Sequence, residues 1–196
     1  MARTKEFDKT EVLEKAKQLF WKQGFHATSI QNLVDHLGIN RASIYDTFGD
    51  KNKLYEMALR SYRDESAVQL QKRTDKFKSI KNGLRTLLRE GITAALNDGE
   101  CKGCFVVNCT SEYLPKHQHI LPELLENKII FENTFSRTLQ RGKDNGELSA
   151  DLNVKDLAAY FYTFFNGIQI IAKVKPNKKE LFKTIDLGLR VLDVPG

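Results

Sequence analysis

Long apolar runs are missing from this 196-residue chain. Its most apolar window, LAAYFYTFFNGIQIIA from Leu157 to Ala172, is broken by Asn166, Gly167 and Gln169 and is too short to cross a bilayer. It predicts a buried interface helix instead. The opening residues, MARTKEFDKTE, are polar and hold no signal-peptide core, which predicts a cytoplasmic protein. Cysteines number three, an odd count that does not suggest a disulfide framework. Also lacking are the phosphate loops G-x-x-x-x-G-K and G-x-G-x-x-G, the metalloprotease motif H-E-x-x-H and the nucleophile elbow G-x-S-x-G. These absences argue against an enzyme, and no cofactor is expected.

What is present is ordinary for a soluble globular protein, with 41% hydrophobic and 29% charged residues. The net charge of +6 is a mild excess that favours a polyanionic partner without identifying one. Only four prolines occur and strand-like alternation is nearly absent, whereas helical periodicity runs almost throughout. The predicted class is all-α.

Asp8 and Glu11 form a capping-box pattern before a first helix whose face carries Val12, Ala16, Leu19 and Phe20, ended by Gly24. A second helix is expected from Thr28, with Gln31 at the reciprocal capping position and Ile30, Leu33, Val34 and Leu37 turned inward. Gly38 ends it. After Ile39, Asn40 can cap a short third helix, and Gly49 and Asp50 stop that helix and cap a fourth carrying Leu54, Tyr55, Ala58, Leu59 and Tyr62. The polar stretch from Asp64 to Lys78 suggests a boundary, giving domains at 6–66 and 67–196. Further helices are expected near 79–97, 104–113, 122–143, 154–172 and 178–192, separated by Asp98-Gly99, Pro115, Asn145-Gly146 and Pro176-Asn177.

Two short helices joined through a glycine, with another packed beside them, make a helix-turn-helix. On the third helix Ile44 and Phe48 face inward while Ala42, Ser43 and Asp46 face out, and small side chains there let the backbone sit deep in a major groove. Arg41 suits a bidentate contact to guanine, and Tyr45 a phosphate. Lys51 opens the fourth helix, where free backbone N–H groups favour phosphate, and Thr28 has the same opportunity on the second. Ser29 and Thr47 complete the expected DNA-facing set. The alternative is a three-helix packing unit with a solvated outer face, a reading that Asp46, repelled by phosphates, supports.

The series Ala16, Phe20, Gly24, Thr28-Ser29-Ile30, Gly38-Ile39, Ser43-Ile44-Tyr45, Phe48 and Lys51 to Leu54 resembles the tetracycline-repressor (TetR) family. The resemblance covers about the first 60 residues. It implies a dimeric, all-helical regulator, usually a repressor: a helix-turn-helix DNA-binding domain followed by a helical ligand-binding and dimerisation domain, released from operator DNA by a small molecule. It also supports the contact roles given to Thr28, Arg41, Ala42, Ser43, Tyr45 and Lys51. Many members carry a second aromatic after the tyrosine; here Asp46-Thr47 stands in its place.

In the C-terminal two-thirds, Leu157, Phe161, Phe164, Ile168 and Ile171 form one stripe and Ala158, Tyr162, Phe165 and Ala172 a neighbouring one. Such a helix must be covered on both sides. Leu181, Ile185, Gly188 and Leu192 offer a partner stripe, and the resemblance implies that these last two helices pair with their copies in a homodimer. Effector-pocket walls are expected from Cys104, Phe105, Cys109, Tyr113, Phe161 and Phe165, since GCFVVN resembles a segment that begins a pocket helix in one TetR subgroup.

The segment GECKGCFVVNCTSEYLPKHQH leaves three readings open. Cys101 and Cys104 with His117 or His119 could hold zinc, although the spacing fits no standard finger. Cys104, aided by Lys102, a helix start, and Cys109 or Cys101, could be a reactive sensor thiol. The thiols could simply fill small spaces. A thiol-disulfide exchanger built on Cys101 and Cys104 lacks the expected βαβ setting. A DNA-coating protein is disfavoured because acids and bases mingle, with 20 Lys+Arg against 17 Asp+Glu from Asp64 onward.

Overall fold

Side-chain oxygens start most of the helices in the computed structural model, which describes residues 7–100, 102–174 and 177–193. The elements are α1 (Lys9–Gln23), α2 (Ile30–Leu37), α3 (Arg41–Phe48), α4 (Lys51–Thr74), α5 (Ile80–Asn97), α6 (Phe105–Glu112), α7 (Leu121–Asp144), α8 (Val154–Ala172) and α9 (Lys178–Gly188). Short 3-10 turns lie at Leu114–Lys116, Gln118–Ile120 and Leu189–Leu192, and no strand occurs among the described residues. The fold is all-α.

Asp8 caps α1 by accepting from Thr10 N–H, but Glu11 does not close a box with it; its carboxylate pairs with Lys15 at 2.7 Å. The α2 cap falls one residue later than its expected place at Thr28. Ser29 accepts from Asn32 N–H at 3.0 Å, and Asn32 Oδ1 accepts from Ser29 N–H at 2.8 Å. Thr28 is diverted because its hydroxyl donates to Gly24 O at 2.6 Å, and Gln31 because its amide donates to Asp35. Gly38 takes φ +69°, a left-handed conformation that a side chain would strain, and so turns the chain from α2 into α3.

One core gathers Ala16, Phe20, Leu33, Ile44, Leu54 and Tyr55 from α1 to α4. A second gathers Leu84, Ile92, Phe135, Phe161, Ile168 and Ile185 from α5 and α7 to α9. α4 runs unbroken through the polar stretch expected to separate two domains: the polarity from Asp64 is that of a solvated helix, and Leu70 near its end belongs to the second core. Arg141 of α7 fastens that end by donating to the carbonyls of Thr74, the last residue of the helix, at 3.0 Å and of Phe77, in the loop after it, at 3.2 Å. Buried Arg63 of α4 reaches Glu123 and Glu126 of α7 at 2.6 and 2.7 Å.

The short α6 joins the first core, not the second. Phe105, Val106 and Cys109, with Tyr113 just after the helix, pack against α1 and α4 through aromatic edges such as Tyr55 to Phe105 at 5.3 Å and Phe25 to Tyr113 at 4.7 Å.

Candidate DNA-binding surface and ligand cavity

α3 is pinned by Ile44 and Phe48, both buried, so Arg41, Ala42, Tyr45 and Asp46 are left exposed on its outer side with Ser43 half-buried. Arg41 lies over the Tyr45 ring at 5.5 Å and its guanidinium donates to the tyrosine hydroxyl at 3.4 Å. A planar donor fork and a phenol are thereby presented together. Ser29 is exposed at the start of α2, its hydroxyl engaged with Asn32. Lys51 is half-buried, with its ammonium 4.1 Å from the centre of the Phe25 ring. Burial pushes its pKa down, and the nearby Glu112 carboxylate opposes that shift.

Two members of the predicted DNA-facing set sit elsewhere. Thr28 is fully buried, with its hydroxyl spent on Gly24 O, so it offers nothing to a phosphate in this conformation. The Thr47 hydroxyl oxygen is shielded from solvent on the inner side of α3 and has no hydrogen-bond partner. Both errors come from reading a side chain's chemistry before its direction.

Glu112, at the end of α6, was missed by the sequence reasoning. Its carboxylate accepts from His26 N–H at 2.8 Å, and a Cβ at Gly24 (φ +82°) would lie 2.5 Å from it. The carboxylate thus clasps the turn between α1 and α2 while facing Lys51. Nothing local marks this residue, because its hydrogen-bond partner His26 lies 86 residues earlier.

A cavity of about 520 Å³ lies between α1, α4, α5, α7 and α8, within the size range of small-molecule sites. Cys104 and Phe165 line it as expected walls. Phe105, Cys109 and Tyr113 do not, because α6 turns them into the first core, and Phe161 is buried against Phe135 with ring centres 6.1 Å apart. The walls also include Trp21, Tyr62, Gly91, Asn127 and Phe131, which local pattern did not single out.

Burial raises the Cys104 pKa above the ordinary thiol value, outweighing backbone N–H groups at the α6 start and the Tyr62 hydroxyl. The helix-start argument for a lowered value is therefore reversed. Lys102, expected beside the thiol, lies over the Trp21 ring at 5.0 Å and pairs with Glu100. Burial likewise pushes Cys109 up to about 11, against the opposing influence of the neighbouring Tyr55 hydroxyl and with Glu112 and Glu56 adding to the rise. Cys101 lies outside the described residues. His117 stacks on Tyr113 at 4.0 Å and His119 Nε2 meets Glu56 at 2.6 Å. Among the described residues no cluster of three His, Cys, Asp or Glu is placed to hold a metal. None of their helices is long and apolar enough to cross a membrane.

Apolar side chains are left uncovered near the end of α8, just beyond it and on α9. Ile170 and Ile171 are each 50% exposed, Val174 75% and Leu187 62%. Gly167, between them and Thr163, has open space where a side chain would stand.

Comparison with known proteins matches residues 12–58 to bacterial regulatory proteins of the tetR family and residues 77–185 to the tetracyclin repressor-like C-terminal domain. The chain is 34% identical over 194 residues to the HTH-type transcriptional regulator YezE of Bacillus subtilis, covering 98% of this chain and 100% of that one. It is 26% identical to the HTH-type transcriptional repressor ComR of Escherichia coli, covering 96% of this chain and 90% of ComR. Among solved structures it is similar to a cysteine mutant of the regulator CifR complexed with 26-base-pair operator DNA. That likeness has a TM-score of 0.82 and 26% identity, over 96% of this chain and 98% of CifR.

Proposed function

The chain belongs to the TetR family of transcriptional regulators, and from that premise we propose that it is a homodimeric repressor that leaves a palindromic operator when a small molecule fills the cavity. The observation that carries this reading is the position of α6. At its start Cys104 and Val106 border the cavity; at its end Glu112 holds the α1–α2 turn and faces Lys51. A ligand that shifts α6 changes both a turn of the DNA-binding head and a phosphate-seeking cation. It must bind the DNA-incompetent conformer more tightly, because equal affinity for both conformers shifts nothing.

On the DNA side, Arg41 reads a base, Ala42 and Ser43 let α3 approach the groove closely, and Tyr45, Lys51 and the start of α2 at Ser29 fix the backbone. The uncovered face of α8 and α9 supplies the dimer contact, which sets two α3 helices against successive major-groove faces about 34–36 Å apart. The head is taken as residues 6–66 and the regulatory part as 67–196, with α4 shared between them.

Selection of bound sequences from random duplex DNA tests the first half. An inverted repeat with half-sites one helical turn or a multiple apart is expected, and selection without any repeat defeats the reading. For the second half, compounds shown to bind the cavity are expected to raise the operator dissociation constant. A set that binds and leaves that constant unchanged removes ligand release from the function.

A further inference from the structure

The cavity wall is chemically uneven. α5 presents Gly91, Ala94 and Ala95, which create the space, while Phe131 of α7 and Phe165 of α8 give flat apolar surface. A Cβ at Gly91 would already stand 3.3 Å from the Gln169 amide, so the missing side chain is what leaves room there.

The charged groups at this wall are engaged with one another. Buried Lys17 is held by Glu14 and Glu65, Arg73 by Glu90, and Lys102 by Glu100. Asp98 accepts from the backbone N–H groups of Lys102 and Glu100 at 2.7 and 3.1 Å. Among the described wall residues an anionic ligand meets no unpaired cation, and a cationic one must compete for carboxylates already bonded.

Asn127 differs from these. It stands on the buried stripe of α7 among Leu124, Phe131 and Phe135, is 4% exposed and lines the cavity. Its Oδ1 has no hydrogen-bond partner, and its Nδ2 makes one long contact to the Tyr162 hydroxyl at 3.4 Å. The neighbouring buried hydroxyls on the same helix are satisfied, Thr134 by Ile130 O at 2.9 Å and Thr138 by Thr134 O at 2.7 Å. Five side-chain atoms are buried without partners among the described residues, and Asn127 Oδ1 alone belongs to this wall. A buried polar atom left unpaired is costly in an apolar stripe, so its presence there points to a partner that arrives from outside the chain.

We propose that the cavity takes an uncharged, flat, mostly apolar ligand bearing one hydrogen-bond donor, an O–H or N–H that Asn127 Oδ1 accepts. This rests on the reading of the cavity as the effector site and names the chemistry of the effector. Phe131 and Phe165 bound the flat part, and the small residues of α5 set its thickness. The donor supplies orientation, since an analogue that keeps the shape and loses the donor leaves the amide unpaired a second time.

The test uses three bicyclic probes of one shape on the full chain: 2-naphthol, its methyl ether 2-methoxynaphthalene, and 2-naphthoate. Binding is measured by calorimetry, and its location by quenching of Trp21, the single tryptophan and a residue of the cavity wall. Naphthol is expected to bind about tenfold tighter than the ether, with naphthoate weaker than both. In Asn127→Leu the naphthol-to-ether ratio falls to near one while the ether's affinity stays within about threefold, which separates the lost acceptor from a lost fold. Equal binding of naphthol and ether to the unaltered protein, tightest binding of naphthoate, a preference that survives in Asn127→Leu, or no binding of any probe overturns the proposal. Operator affinity is read separately. The predicted preference with no effect on DNA supports this ligand chemistry and defeats ligand release, whereas release by compounds without a donor preference does the reverse.

Discussion

Around Phe20 and Tyr55 the helices of the head close around fully buried rings, and even α6 is drawn in to complete the packing. Around Phe161 and Ile185 the same kinds of side chain leave a cavity on one flank and the bare Ile170, Ile171, Val174 and Leu187 on another. Apolar composition does not separate the two regions; closure does. The head packs fully behind α3, whereas the C-terminal helices leave a bare apolar face and share with α1 and α4 an open cavity; on the function proposed above, the face takes a second copy and the cavity a small molecule.

The comparison breaks most visibly if the head tolerates truncation. Phe20→Ala is expected to cost about 3–5 kcal/mol in chemical denaturation, because a fully buried ring leaves a cavity behind, while Phe165→Ala on the half-buried wall costs below about 2 kcal/mol. Equal losses at the two sites would mean that the regions are closed alike. Next in size, Ile171→Glu is expected to raise the dimer dissociation constant at least about a hundredfold in sedimentation while helical circular dichroism is retained. A dimer that survives the change assigns the bare face to something else.

On the head's outer surface, Arg41→Ala is expected to weaken the selected operator by about tenfold and relax preference at one base position. Lys51→Ala is expected to weaken all duplexes alike and to reduce the salt slope by about one. If the two variants behave identically, the division between reading and positioning fails. The smallest effect concerns the thiol inside the closed core. Burial keeps Cys109 protonated until about pH 11, whereas a thiol in the unfolded chain ionises near about 8.5. The unfolded state loses its proton first, so the stability linked to Cys109 is complete below that value and declines as pH rises toward 11. In alkaline denaturation wild type should lose stability more steeply with pH than Cys109→Ala, which keeps the contribution of the buried Cys104, and iodoacetamide labelling of Cys109 should stay slow at neutral pH.

Locally encoded features were legible in advance. Gly38, Asn40, Ile44 and Phe48 specify the turn, the cap and the inward face of α3 within eleven residues, and the structure keeps all of them. The α2 cap missed by one position because Thr28 and Ser29 are both good caps, and only the nearness of Gly24 O decides between them. The cavity was far less legible. Trp21, Gly91 and Asn127 come from three helices distant in sequence, and each reads locally as an unremarkable core or surface position. Phe105, Cys109 and Tyr113 carried a pocket-like pattern, yet which core claims them depends on the α6 orientation, a tertiary fact.

α4 also has mechanical meaning. At 1.5 Å per residue its 24 residues make a rod of about 36 Å. The far end is pinned through the Thr74 carbonyl by Arg141, and the near end carries Lys51. A tilt of about 5° around the pin sweeps Lys51 through about 3 Å, by the geometry of a rigid helix. In a two-fold assembly the partner rod makes the same swing rotated by 180°, so the span between the two near ends changes by up to about 6 Å. That exceeds the play of a hydrogen bond to DNA several times over. On the function proposed above, this gearing would turn a displacement at the cavity too small to disturb packing into a mismatch of register across two half-sites.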